Sequence, residues 1–198
     1  MGRPVKISEE QILEAARVVF VRDGINATTK DIARQAGISE GSIFKRFPTK
    51  EALFIAAVYY PPVPCWVREL EGLVGTGDAR ENLIHIVQKM FRFAQELLPL
   101  VRVAWGGKPD LSAGGPDKAE PAGIRDRRLL ANYLRREMEG GRLRPCNPEA
   151  VARMIFGACI NLVMDRLTLN QPLSQQEIDA FVPSLVDALW DGIGPTSA

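Results

Sequence analysis

The sequence predicts an all-α protein, and three observations carry that prediction. Apolar residues recur at three- and four-residue spacing through most of the 198 residues. Capping side chains stand at the head of those stretches, with Ser8/Gln11 and Ser174/Glu177 at capping-box spacing. Glycine or proline stands where the stretches stop. The pattern divides the chain into a three-helix domain over residues 1–48 and a larger helical domain over 49–198.

Residues 2–6 form a basic arm, in which Arg3 and Lys6 flank a proline that keeps the segment extended. The first helix opens at Ser8, where Ile7 and Ile12 bracket the cap at staple spacing. It carries Ile12, Ala15, Ala16, Val19 and Phe20 as one stripe and stops at Gly24. Thr28 caps a second helix, with Asp31 three residues on, and Ile32, Ala33 and Ala36 recur on its narrow face. Gly37 ends that helix, because glycine takes the left-handed conformation without strain, and Ser39 caps a restart. The third helix is expected over 40–47. It buries Ile43 and Phe47, turns Gly41, Ser42, Lys45 and Arg46 outward, and is closed by Pro48.

A short helix held rigidly after a three-residue turn, small at its first turn and cationic at its end, fits the major groove of B-DNA. An ordinary helix bundle would place longer helix formers where Gly41 and Ser42 stand. The run T-x-x-D-I-A-x-x-A-G-I-S-x-G-S-I-F-x-x-F-x-x-K-E-A-L from Thr28 resembles the DNA-binding domain of the TetR family of bacterial transcriptional regulators. The resemblance implies phosphate contacts from Thr28, Thr29 and Lys50, a DNA-facing cap at Ser39, and Gly41 and Ser42 at the groove floor. It implies base or phosphate contacts from Lys45 and Arg46. Phe44 departs from the family's usual tyrosine, keeping the packing but losing a hydroxyl for phosphate. Arg3 and Lys6 would reach a phosphate or a minor groove.

Beyond Pro48, a fourth helix starts near Thr49 and carries Leu53, Phe54, Ala57 and Val58. Pro61, Pro62 and Pro64 break it, and helix resumes near Cys65. After the turn at 75–78 a long helix runs to Leu98, apolar on two faces, with Pro99 expected to kink or end it and 100–105 to form a further short element. Residues 106–123, rich in glycine, proline and charge, read as a flexible loop, either a lid or an idle insertion. A helix follows over 124–139. The stop at 140–145 leads to a helix capped by Asn147, and Pro183 lies inside the last helix.

Charge is uneven. Residues 1–50 hold nine Lys/Arg against six Asp/Glu, a balance of +3, leaving 16 against 18, a balance of −2, for the rest. Three cysteines at no metal-ligand spacing argue against a disulfide framework, a lone His85 offers no catalytic or metal constellation, and no cofactor motif is present. With no apolar signal core and no spanning segment, a cytoplasmic protein is expected.

The reading that follows is a ligand-responsive regulator bound to double-stranded DNA at a palindromic operator, a repressor by resemblance. The alternative is a helical small-molecule-binding protein or enzyme with an unused helix-turn-helix. Surplus apolar faces on the last two helices predict a homodimer through Ile155, Leu162, Phe181, Leu185 and Leu189. Met90, Phe91, Trp105, Tyr133 and Phe156 are the candidate ligand residues for a small apolar or aromatic effector, although the same pattern also describes plain core.

Overall fold

The structure, a computed structural model, describes residues 7–60, 63–105 and 120–192, with the side chains of residues 25 and 103–105 outside that description. Arg3, Lys6, Pro61, Pro62, the Trp105 side chain and residues 106–119 of the expected loop therefore lie outside the described residues. The described residues form α1 (Glu9–Asp23), a 3-10 turn (Gly24–Asn26), α2 (Thr29–Ala36), α3 (Glu40–Phe44), α4 (Lys50–Tyr59), α5 (Cys65–Leu73), α6 (Ala79–Trp105), α7 (Ala122–Glu139), α8 (Pro148–Thr168) and α9 (Gln175–Asp191).

The chain divides into two compact units, Met1–Pro62 with Pro99–Gly123, and Val63–Leu98 with Ile124–Ala198. The core of the first is Ile12, Ala16, Val19 and Phe20 of α1, Ile32 and Ala33 of α2, Ile43 of α3, Phe47, Leu53 and Ala56–Val58 of α4, and Leu100 from the end of α6. Phe20 meets Phe54 edge-on at 4.9 Å, and the Arg17 guanidinium donates to the Ala57 carbonyl at 3.3 Å. The caps form as the side chains dictate. Ser8 and Gln11 make the reciprocal capping box, Thr28 accepts from the Asp31 N–H, and Gly37 sits at φ +68° after α2.

Three elements depart from the sequence expectation. Helix α3 ends at Phe44, three residues early, because Phe47 precedes Pro48 and the preceding turn tightens: the Arg46 N–H bonds to Ile43 and passes over Ser42. Helix α6 runs through Pro99 without ending. An interior proline costs about 3 kcal/mol, and burial of the flanking Leu98 and Leu100 side chains offsets it. Helix α7 also begins two residues earlier than expected, at Ala122.

In the second unit, Trp66 of α5 packs edge-on against Phe156 of α8, and Phe91 of α6 against Phe181 of α9. Arg80 of α6 bonds Asp187 of α9 at 2.8 Å. A charged knot joins the α5–α6 turn to α7. The fully buried Glu137 carboxylate accepts from the Gly75 N–H at 2.7 Å and from Arg142 Nε at 2.6 Å. Arg142 also donates to the Thr76 and Gly77 carbonyls, both at 2.8 Å.

Candidate nucleic-acid interface

Helices α2 and α3 meet at the turn 37–39, fixed by the Ile38 N–H to Ala33 bond at 3.0 Å and by Ser39, which caps α3 through the Ser42 N–H. A cross-link between the two helices comes from Thr29, whose buried hydroxyl donates to the Glu40 carboxylate. Thr29 was expected as a phosphate contact, but its side chain is committed to the turn; what it keeps for a phosphate is the backbone N–H at the head of α2. Thr28's hydroxyl is likewise engaged with Asp31, and that bond together with Arg34 holds the Asp31 carboxyl below the usual carboxylate range.

The outward face of α3 carries Gly41, Ser42, Phe44 and Lys45. Phe44 is 42% exposed, a large apolar ring left in water by its own chain. An added Cβ at Gly41 would meet nothing within 4 Å, and its backbone is not in the left-handed region, so nothing in the protein requires glycine there. Ser39 and Ser42 share a hydroxyl contact at 2.8 Å, Lys45 is exposed, and Lys50 opens α4. Arg46 is exposed and also makes contacts within its own unit. Its guanidinium donates to the Ser42 carbonyl at 3.1 Å and to the Ile7 carbonyl at 3.3 Å. Glu40 and Arg46 thus bond to other residues of the same domain, a contact pattern that spacing does not reveal.

The candidate effector residues are not gathered on one cavity. Met90 and Phe91 are core, Phe156 is half-buried against Trp66, and none of them lines either the cavity of about 940 Å³ or the one of about 380 Å³ in the second unit. Tyr133 lines the smaller, with Val67, Leu70, Val74, Leu129, Arg135 and Arg136. Its buried hydroxyl has Asn82 as polar neighbour but makes no hydrogen bond of ordinary geometry; burial, then the Glu137 charge, push its pKa up to about 12. The larger is walled by Leu83, Leu134, Met138, Leu143, Arg142, Leu189 and Trp190; the sequence reading offers none of these as effector residues and assigns Leu189 to the dimer.

Of the expected dimer residues, Leu162, Phe181, Leu185 and Leu189 are half-buried, but Ile155 is 0% exposed within its own chain. Its face points into the core, and the neighbouring Met154 and Ile160, 51% and 40% exposed, stand where Ile155 was placed. Among the described residues no helix is long and apolar enough to cross a membrane, and no His/Cys/Asp/Glu cluster suits a metal ion.

An all-helical chain with this turn, this small-residue helix face and a separate helical body is a helix-turn-helix DNA-binding protein. Comparison with known proteins narrows the class. Residues 12–57 match the bacterial regulatory proteins of the tetR family, and residues 81–191 match the C-terminal domain of AefR-like transcriptional repressors. The chain is 30% identical over 180 residues to an HTH-type transcriptional repressor of Mycobacterium tuberculosis, covering 84% of this chain and 89% of the relative. It is 25% identical over 194 residues to the regulator LuxR of Vibrio harveyi, covering 91% and 88%. Among solved structures, FadR of Bacillus subtilis in complex with stearoyl-CoA superposes with a TM-score of 0.66 at 21% identity, over 94% of this chain and all of that one. A TetR-family regulator of Mesorhizobium loti superposes with a TM-score of 0.71 at 20% identity, over 91% and 93%. The chain belongs to the TetR family and is a DNA-binding transcriptional regulator.

Proposed function

We propose that the chain is a repressor that binds a palindromic operator as a two-fold homodimer in the cytoplasm, acts without a catalytic step, and leaves DNA when a small apolar or aromatic effector binds its second unit. The observation that carries the DNA reading is the α3 face, where Gly41 is bare of internal contacts and Phe44 and Lys45 are exposed beside Ser42. Such a face suits a groove floor, a thymine methyl and a base edge or phosphate. The dimer reading rests on Met154, Ile160 and the half-buried Phe181 and Leu185, an apolar surface that one chain leaves wet. For the effector, support comes from the apolar wall of the Tyr133 cavity, formed by Val67, Leu70, Val74 and Leu129, which suits an apolar ligand, while Arg136 at its edge is paired with Glu71; the similar FadR of Bacillus subtilis is in complex with stearoyl-CoA.

The test is selection of a duplex from a random-sequence pool, followed by footprinting and sedimentation. The reading expects two inverted half-sites about one helical turn apart, and loss of both dimer mass and DNA retention in Ile160→Glu. Stearoyl-CoA is the first effector probe, with release of the selected duplex as the readout. A monomer protecting one asymmetric site with unchanged affinity in Ile160→Glu would overturn the two-fold model.

A further inference from the structure

Glu40, the first residue of α3, is the only carboxylate in that helix. It stands on the turn that a recognition helix presents to base edges in the major groove. One of its oxygens is taken, because Oε1 accepts from the hydroxyl of Thr29, a side chain 9% exposed at the first position of α2. Glu40 itself is half-buried, and among the described residues its Oε2 meets no donor. A latch between the two helices needs no charge, since the carbonyl of a glutamine would accept the same hydroxyl. Close to phosphates the charge is a cost. What a carboxylate adds is an end that only accepts: it takes a bond from the N4 amino group of cytosine and has nothing to donate to O6 and N7 of guanine or O4 of thymine.

We propose that Glu40 is a specificity residue of the operator, its carboxylate accepting from the amino group of one cytosine in each half-site, and that Thr29 is the positioning residue that fixes its direction. This rests on the DNA-binding reading above. The Thr29 hydroxyl, itself held in place by burial, restricts the carboxylate to one orientation and leaves Oε2 as the atom for the base. Gly41, the next residue, has no side chain to hold the turn away from the groove floor. Guanine and thymine at the same place set acceptor against acceptor and are rejected. Adenine offers its own N6 amino group beside the N7 acceptor, so discrimination against it is smaller.

The experiment takes the full-length protein and a duplex that it selects from a random pool, and replaces each base pair in turn, symmetrically in both half-sites. Relative affinities at one fixed salt concentration give the preference at each pair for the parent, Glu40→Ala, Thr29→Val, Thr29→Ser and the Thr29→Val/Glu40→Ala double variant. The parent should prefer cytosine over guanine or thymine by about tenfold at one pair, and Glu40→Ala should lower that preference below about twofold while leaving the other pairs unchanged. Thr29→Val should lower the same preference to about threefold, the loss expected when one orienting hydrogen bond goes. Thr29→Ser keeps the hydroxyl and should keep the parent's preference. The double variant should match Glu40→Ala, because a positioning residue then has nothing left to orient. A general loss of folding weakens all duplexes alike and cancels in these ratios. Unchanged preferences in Glu40→Ala or in Thr29→Val, a loss in Thr29→Val spread evenly over all pairs, or an affected pair without cytosine each overturn the proposal. A parent that selects no duplex overturns the DNA-binding reading, and this proposal with it, before any variant is made.

Discussion

Glu137→Ala tests whether the buried charged knot holds the second unit together. The substitution removes a carboxylate with no solvent exposure and leaves the Gly75 N–H, which it accepted at 2.7 Å, without a partner. It also strips Arg142 of its 2.6 Å ion pair, although Arg142 is 28% exposed and keeps the Thr76 and Gly77 carbonyls. Breaking a fully buried pair costs about 3–5 kcal/mol, and an unsatisfied buried donor about 1–3. Because water reaches Arg142, the lower part applies, and about 2–4 kcal/mol is expected. For a chain of this size that lowers Tm by roughly 5–15 °C. Glu137→Gln keeps an acceptor for Gly75 and should lose about half as much. Urea unfolding at one fixed protein concentration measures both, with Arg142→Ala and the double variant completing the cycle. A Glu137→Ala loss below about 0.5 kcal/mol would refute the reasoning, since surface substitutions fall in that range.

Other consequences of the structure are open to the same kind of check. Gly41→Ala should leave stability unchanged or raise it by about 0.5 kcal/mol, since alanine is the better helix former and meets nothing inside the protein, while lowering affinity for the selected duplex; unchanged DNA affinity would remove Gly41 from the interface. Lys50→Ala should weaken selected and random duplexes alike and reduce the salt slope by roughly one. Lys45→Ala should cost roughly 1–3 kcal/mol on the selected duplex alone. Equal loss on both duplexes would make Lys45 a phosphate clamp. Tyr133 has its pKa raised to about 12, so the fold favours its neutral phenol. Its contribution to stability is fully present below about pH 10 and is lost as pH rises toward 12. A phenolate absorbance titration should show one tyrosine ionising near 12 and lose that step in Tyr133→Phe; titration near 10 would count against the buried placement.

The helix-turn-helix was legible in the sequence because each of its parts is local. Thr28, Gly37 and Ser39 act on backbone groups within four residues, and the structure shows all three at their helix ends. The break before Cys65, the Asn147 cap and the Ser174/Glu177 box were legible for the same reason. What spacing leaves undecided is which neighbour a side chain meets. Glu137 lies one helical turn after Tyr133 among outward arginines and reads as surface, yet the α5–α6 turn closes over it. Periodicity placed Ile155 on an apolar face of α8 without saying that this face is the chain's own core. Pro99 reads as a stop because its local cost is real, and only the burial of Leu98 and Leu100 shows why the helix continues. Arg46 reads as a groove-facing cation, and nothing local reveals the Ile7 carbonyl 39 residues away.

The continuation of α6 beyond Pro99 means that the first unit is assembled from two pieces of chain separated by residues 63–98, which hold α5 and most of α6. Leu100 is 1% exposed in the same cluster as Phe20 and Leu53, and Val101 packs against it. A fragment cut at the proline break after Tyr60 would therefore carry every recognition residue and still expose the apolar surface that Leu100 seals. Transplanting residues 1–60 onto another regulator has the same difficulty, because something must replace Leu100 and Val101 in the cluster they complete. Exchange of operator specificity between such proteins is better attempted by replacing the outward residues of α3 than by joining whole domains.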